Sequence, residues 1–420
     1  MSEPLKLTES ERLLARAKEL IPGGMMGIRR PYNFVPGEYP VFFTHGKGGH
    51  VFDVDGNEYI DFLCGYGPII LGYQEKEVDE AVIAHIRRVG PGCFSLVQPI
   101  QNELAEKVRE CIPAAEQCVF MKTGSDATNL AVRVARGRTG RTKVIRCGYH
   151  GWGDWCVEVK GGVPQKLWED TFEFHYNDLC ELEDLMRRIG DETACVIVTP
   201  VGHPLAHPVQ APSPGFLEGV RELTYKYGAV LVFDEIRSGF RVSLGGAGAW
   251  YGVKPDLACV GKAMANGYAI SALVGVRDVM RVLEKEVFVS STYFPNSLEM
   301  VAALKTIEIL ERDRVLDQIR EKGQRFLDRL HQVITESGVL AQVSGIPQMP
   351  FITFPEDPKD PAKTYRARRT RFYTEVIRRH VFLQPYHHGY ICFRHTDADL
   401  DAAVTAVAEA LAEVKREFGG

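Results

Sequence analysis

The chain has 420 residues, 50 Lys and Arg against 55 Asp and Glu, a formal net charge of -5 and 45% apolar content. That balance excludes a disordered or fibrous chain and gives no support to nucleic acid or an anionic membrane as a partner, since either would need a basic excess gathered on one face. A chain this long exceeds what one small core organises, so a large domain with a smaller companion is expected, with room for a buried site.

The first segment, "MSEPLKLTESERLLARAKEL", carries leucines at helical spacing and charges of both signs, without the apolar centre of a signal peptide. This predicted helix ends at "IPGG"; short strands follow in "YPVFFTHGKGGHVFDVDGNEYIDF", where Asp55-Gly56 has the form of a hairpin turn. From about Val78 the pattern changes to amphipathic helices, "DEAVIAHIRRV" and "NELAEKVREC". Strands then alternate with helices: "CVFMKTG", "TKVIRCGYH", "ACVIVTP", "AVLVFDEI" and "DLACVGK" are short continuous apolar runs. Their spacing predicts an α/β fold with a mainly parallel sheet covered on both faces. After "SSTYFPNSLEMVAALKTIEILERD" a long helix leaves this domain, and the remainder reads as an α+β cap that the N-terminal segment joins. The expected divisions are 1–70 for the N-terminal part of a small domain, 71–310 for the large domain, and 311–420 for the C-terminal part of the small one. The ten cysteines are scattered from Cys64 to Cys392 without a C-x-x-C pair, so neither a disulfide framework nor a zinc site is expected, and a reducing compartment fits best. No segment offers the roughly 18 uninterrupted apolar residues of a membrane span. A soluble, cytoplasmic protein is the expectation.

Ligands of parallel sheets collect at the carboxyl ends of the strands. In "MKTGSDATN", Thr123, Gly124 and Ser125 precede a helix with Asp126 in its first turn, a place suited to a phosphate, or simply a well-capped helix. "VLVFDEIRSGFR" delivers Asp234 and Glu235 to a strand end, where a buried acid needs a cationic partner: a protonated pyridine nitrogen, or Arg237 or Arg241 as a structural ion pair. One strand later, Lys262 stands among small and apolar residues in "CVGKAMANGYAIS". Its head group either reaches water or is desolvated into a neutral, nucleophilic amine. Tyr149, in "CGYHGWGDW", is a core aromatic or a flat face for a ring. Phosphate seat, acid, amine and aromatic together match the phosphate, ring nitrogen, aldehyde and ring of pyridoxal 5'-phosphate. A nicotinamide dehydrogenase would need a G-x-G-x-x-G turn after its first strand, and none is placed there. The histidines of "HPLAHP" and the pair His387-His388 offer no third metal ligand, so no metal is expected.

With these residues in view, the chain resembles class III, fold-type I pyridoxal-phosphate aminotransferases, in the branch that includes glutamate-1-semialdehyde aminomutase. The resemblance runs from about Ile21 to Leu411 on "IPGG", "VFDVDGNEYIDFLCGYGPIILGY", "TGSDAT", "YHGW", "GFLEGVRELTYKYGAVLVFDEIRSGFR", "KPDLACVGKAMANGY", "SSTYFPNSL" and "RHTDADLD". It implies that Lys262 forms the internal aldimine and shuttles protons, that Asp234 partners the pyridine nitrogen, that Tyr149 stacks on the ring, and that Gly124 and Ser125 hold the phosphate. It also implies a homodimer in which Thr292 reaches the neighbouring subunit's phosphate, with Arg30, Tyr66 and His387 near the substrate. The chain departs from the family at Thr199-Pro200, in place of Glu-Pro, in "VGHPLAHP", at His387 and Arg394, and in a short segment after "YHGW" where the aminomutase has a long mobile loop. The implied activity is amino transfer between a donor and a carbonyl acceptor through pyridoxamine phosphate, on a carboxylate-bearing or polar substrate. Intramolecular transfer by an aminomutase, and a non-catalytic relative, are the alternatives.

Overall fold

The computed structural model describes residues 2–202, 208–356 and 364–419. Its chain divides into two compact units. One takes the chain through Glu75, Pro208 and Val209, and everything from Asp317 onward; the other runs from Lys76 to Gly202 and from Gln210 to Leu316. The sequence reading set these changes at 70 and 310.

The helix Thr8–Leu20 is followed by β1 (Phe43–Lys47), β2 (His50–Asp53) and β3 (Glu58–Asp61), a meander in which Val51 faces Tyr59. The Asp55-Gly56 turn closes its second hairpin, with Gly56 at φ 91° and the Asp53 carboxylate accepting from the Asp55 and Asn57 amides. The second unit supplies β4 (Gln117–Met121), β5 (Lys143–Cys147), β6 (Thr171–Glu173), β7 (Thr193–Val198), β8 (Val230–Asp234), β9 (Leu257–Val260) and β10 (Ser271–Gly275). They form one seven-stranded sheet in the order β4-β10-β9-β8-β7-β5-β6. β10 runs antiparallel to both its neighbours and the rest run parallel, so β4, β5, β7, β8 and β9 all end at one edge. β7, β8, β9 and β10 are buried along their whole length, as the unbroken apolar runs require. The helix Gly124–Thr139 lays Ala127, Leu130, Ala131, Val134 and Ala135 into the core that Cys195, Ile197, Val232, Cys259 and Leu273 line from the sheet. Small alanines there bring the helix axis close to the strands, and apolar area so removed from water contributes about 25 cal/mol per Å².

The long helix expected after "SSTYFPNSL" is two helices, Leu298–Arg312 and Val315–Ser337, broken where Arg314 turns left-handed at φ 49°. The first unit then resumes with the hairpin β11 (Gln342–Ile346) and β12 (Met349–Thr353), and with β13 (Val381–Phe382), which pairs parallel with β3 in a sheet of order β1-β2-β3-β13. Among the described residues no helix is long and apolar enough to cross a membrane.

Candidate active site

The common strand edge carries the expected chemistry. At the end of β8 the buried Asp234 carboxylate accepts from the buried His150 ring, Nδ1 to Oδ2 at 2.8 Å, and from the Ile236 amide at 3.2 Å. Glu235 turns away: its carboxylate accepts from Ser238 Oγ at 2.5 Å and from the Ala247 and Gly248 amides at 2.8 Å each. Burial pushes its pKa up, against those three donors. Asp234 thus has a His–Asp pair and Glu235 a hydroxyl and backbone anchor as partners, which the sequence did not announce.

Lys262 follows β9 and opens the 3-10 turn Lys262–Ala265, itself at φ 43°. A left-handed non-glycine residue costs roughly 1–3 kcal/mol, and such residues gather where function fixes them. Loss of water holds its ammonium pKa well below the usual lysine value; the Arg237 charge adds to this, Asp234 opposes it, and Arg241 lowers it further. The result is an amine inclined to be neutral, within electrostatic reach of the Asp234 carboxylate.

Thr123 caps the helix Gly124–Thr139 in a full capping box: Thr123 Oγ1 accepts from the Asp126 amide at 3.2 Å and Asp126 Oδ2 from the Thr123 amide at 2.8 Å. The Ser271 hydroxyl donates to the Thr123 carbonyl at 2.7 Å, tying this turn to β10. At Gly124 a Cβ would stand 3.0 Å from Ile236 Cγ2, so the bare glycine keeps the helix start open. The turn after β5 lies directly on it. A side chain at Gly151 would collide with the Ser125 hydroxyl, and one at Gly153 with the Asn129 amide. Within that turn Tyr149 is half-buried with the Arg237 guanidinium 5.7 Å from its ring centroid, and burial raises its phenol pKa against the pull of Arg237. Thr199, buried at the end of β7, has a hydroxyl without a hydrogen-bond partner among the described residues.

This set fits pyridoxal phosphate: open amides and a positive helix end for the phosphate, an anchored acid for the ring nitrogen, an aromatic for the ring, and a desolvated amine for the aldehyde. Thr292 stands apart on an exposed loop, where its carbonyl accepts from the Cys93 thiol at 3.6 Å.

Arg30, Tyr66 and His387 belong to the other unit. Tyr66 and His387 meet edge to face at 5.2 Å, and the Tyr66 hydroxyl donates to the Ile28 carbonyl at 2.9 Å. The cation beside Tyr66 is Arg29, 5.4 Å from the ring centroid; Arg30 donates to the Met25 carbonyl at 3.2 Å. Arg394, one of the departures from the family pattern, is paired with the buried Glu75 at 2.7 Å. His203 and His207 of "HPLAHP" lie outside the described residues. Cys64, Cys392 and His395 gather their donor atoms within 4.8 Å, a cluster that scattered spacing gave no hint of. Both His395 nitrogens already meet backbone, the Cys392 amide at 3.1 Å and the Asp61 carbonyl at 3.2 Å, which marks the group as core packing. Sequence reasoning also missed His150 as the partner of Asp234; its place beside Tyr149 at a strand end was the available signal.

The family model for class III aminotransferases matches residues 34–410. The chain belongs to that family. It is 61% identical to the 3-aminobutyryl-CoA aminotransferase of Cloacimonas acidaminovorans (strain Evry) over 99% of this chain and 100% of that one. It is 34% identical to the glutamate-1-semialdehyde 2,1-aminomutase of Syntrophobacter fumaroxidans over 97% of this chain and 98% of that one. The solved structure of the PLP internal aldimine form of the Sphingopyxis sp. MTA144 FumI protein superposes with a TM-score of 0.92 at 30% identity, covering 98% of each chain. This class III aminotransferase therefore has the fold-type I architecture, uses pyridoxal 5'-phosphate and transfers amino groups.

Proposed function

We propose that the enzyme takes its amino group from a 3-aminoacyl thioester of coenzyme A and passes it to a second carbonyl compound. The observation that carries this reading is the 61% identity, over 99% of the chain, to an aminotransferase of 3-aminobutyryl-CoA. The short segment after "YHGW" supports release of product after each half-reaction rather than migration of nitrogen within one molecule. Pyridoxal phosphate, when bound, supplies an aldehyde carbon that takes an amine and a ring that accepts electrons. Lys262 Nζ, its pKa lowered by desolvation, takes the proton from the amine-bearing carbon and returns it. With the cofactor bound, Asp234, held by His150, would face the ring nitrogen and Tyr149 would pack on the ring, while the Gly124 and Ser125 amides would meet the phosphate at the helix start.

The working form is a homodimer. Its support is a set of exposed apolar side chains, Phe94, Leu96, Val97, Phe288 and Tyr293, on the segments that carry Cys93 and Thr292, which are joined by Cys93 to Thr292 and by Asn296 to Pro91. Ten free cysteines fit a reducing, cytoplasmic setting.

Wild-type enzyme is mixed with 3-aminobutyryl-CoA or with free 3-aminobutyrate, and the cofactor spectrum is followed together with the 3-oxoacyl thioester formed. Conversion by the thioester alone supports the reading. Conversion by the free acid alone, or an isomer of the substrate formed without an acceptor, overturns it.

A further inference from the structure

Three adjacent strands of the second unit, β5, β7 and β8, deliver Gly148, Thr199 and Asp234 side by side to the sheet edge, with Cys147 level with Val198 and Val198 level with Phe233. The Thr199 amide donates to the Cys147 carbonyl at 3.0 Å, which carries the pairing one residue past the strands. Gly148 is at φ 116°, and a Cβ there would collide with Thr199 Oγ1 and stand 3.6 Å from Cε1 of the His150 ring. Only a residue without a side chain lets that hydroxyl and that imidazole approach the same point.

Two buried polar atoms of this corner have no partner among the described residues, Thr199 Oγ1 and His150 Nε2. Thr199 is 3% exposed and His150 2%. The rest of the histidine is held: Nδ1 bonds Asp234 at 2.8 Å, the ring stacks on Trp155 with centroids 6.1 Å apart, and the His150 carbonyl accepts from the Thr128 hydroxyl at 2.7 Å. A carboxylate only accepts, so the hydrogen shared with Asp234 is on Nδ1, and in a neutral ring Nε2 is then an acceptor that needs a donor. Leaving a buried acceptor bare costs more than a hydrogen bond ordinarily contributes. A threonine hydroxyl has a hydrogen it can turn, and a water held between two such groups satisfies both.

We propose that Thr199 is a positioning residue: through one bridging water its hydroxyl supplies the donor for His150 Nε2, and so keeps the ring's N–H on Nδ1, toward Asp234. Without that donor the N–H is free to move to Nε2, and two acceptors, Nδ1 and the carboxylate, would then face each other. Thr199 thereby steadies the Asp234 carboxylate from one strand away. A glutamate at this position, where the chain departs from its family, would take a hydrogen from Nε2 rather than give one. The effect on turnover rests on the reading of Asp234 as the partner of the ring nitrogen.

The test uses the full-length, cofactor-loaded enzyme with isotope-labelled histidine, and the nitrogen resonances of the rings are followed by NMR. Those of His150 are the ones missing from His150→Gln. Thr199→Val removes the hydroxyl at nearly constant volume, Thr199→Ala removes it with less bulk, and Thr199→Ser keeps it. In wild type the ring should show its N–H on Nδ1 and an Nε2 resonance shifted by a hydrogen bond. Thr199→Val and Thr199→Ala should lose that shift and show the second tautomer, with the cofactor dissociation constant raised and kcat lowered about three- to tenfold at unchanged KM. Thr199→Ser should recover the resonance, the affinity and the rate. Ring signals in the hydroxyl-free variants identical to wild type, or Thr199→Ser behaving as Thr199→Val does, would overturn the inference. So would altered ring signals with wild-type kcat in an enzyme that Asp234→Asn disables. If the ring signals change while neither these variants nor Asp234→Asn alters turnover or cofactor affinity, the link from Thr199 to His150 stands and the reading of Asp234 falls.

Discussion

At the scale of single residues, the site is a set of electrostatic adjustments around one amine. Desolvation lowers the Lys262 pKa, so proton uptake is disfavoured in the folded chain relative to the unfolded one. As pH rises toward the ordinary lysine value the unfolded state holds the extra proton, and this group's cost to stability diminishes. Covalent capture of pyridoxal phosphate by the cofactor-free protein should accordingly remain fast well below the pKa of a free lysine, a dependence that stopped-flow absorbance across pH would read. Lys262→Ala should lower turnover by roughly ten-thousand-fold or more while leaving the thermal melt of the protein close to wild type. On the proposed reading, in which the Asp234 carboxylate partners the ring nitrogen, Asp234→Asn should cost roughly a hundred- to a thousand-fold. His150→Gln acts one step removed: the carboxylate stays but loses its anchor, so the rate should fall about tenfold with a changed pH profile rather than be abolished. The placing of Lys262, Asp234 and Tyr149 at or just beyond strand ends was legible in the sequence, because each sits where an apolar run stops and a polar residue there has to be accounted for. His150 was not, since an imidazole next to an aromatic announces no partner until β5 and β8 are side by side.

At the scale of elements, the caps and turns do the placing. The capping box at Thr123 fixes where the helix Gly124–Thr139 begins, and Thr123→Ala should remove about 1 kcal/mol, visible as a lower melting temperature and, on the proposed phosphate seat, weaker cofactor retention. A second capping box, Thr396 with Asp399, starts the helix Asp397–Phe418 and is joined by His50, 3.0 Å from Asp399. The hydrogen bond that His50 gives to the Asp399 carboxylate raises the His50 pKa against some burial. Burial works against Asp399, but His50 and the Thr396 amide bring its pKa down to about 2. The stabilisation from the raised histidine is complete below its ordinary value of 6.5 and is lost as pH climbs through the raised one, while acid erodes the carboxylate's share from 3.8 down to about 2. The difference in melting temperature between wild type and His50→Gln should therefore be largest near pH 5 to 6 and shrink in alkali. Strands β4, β5, β7, β8 and β9 could be read from unbroken apolar runs. The antiparallel β10 and the three-residue β6 could not, because β10 follows a glycine-rich stretch without a helix between and β6 is too short to show a period. The break at Arg314 escaped for another reason: arginine is a good helix former, and its left-handed backbone carries no compositional mark.

At the scale of the whole molecule, the exposed apolar residues of the segments that carry Cys93 and Thr292 make the oligomeric state testable. Leu96→Asp should shift the particle seen by light scattering toward a single chain and reduce cofactor retention, since an acid cannot be buried there unpaired. The two-unit plan followed from chain length and from the change of pattern along the sequence. The exact residues where the chain changes unit did not, because contacts define them and composition does not shift there. One pairing has a consequence for biosynthesis. Val381 lies beside Ile60 in the register of β3 and β13, and the Ile60 amide donates to the His380 carbonyl at 2.9 Å. Strands made early in translation thus wait for a partner that leaves the ribosome more than three hundred codons later. The seven-stranded sheet, whose last strand ends at Gly275, can close in the interval. A ribosome stalled before residue 380 should display a protease-resistant middle and a digestible beginning, and only release of the finished polypeptide should protect its first seventy-odd residues.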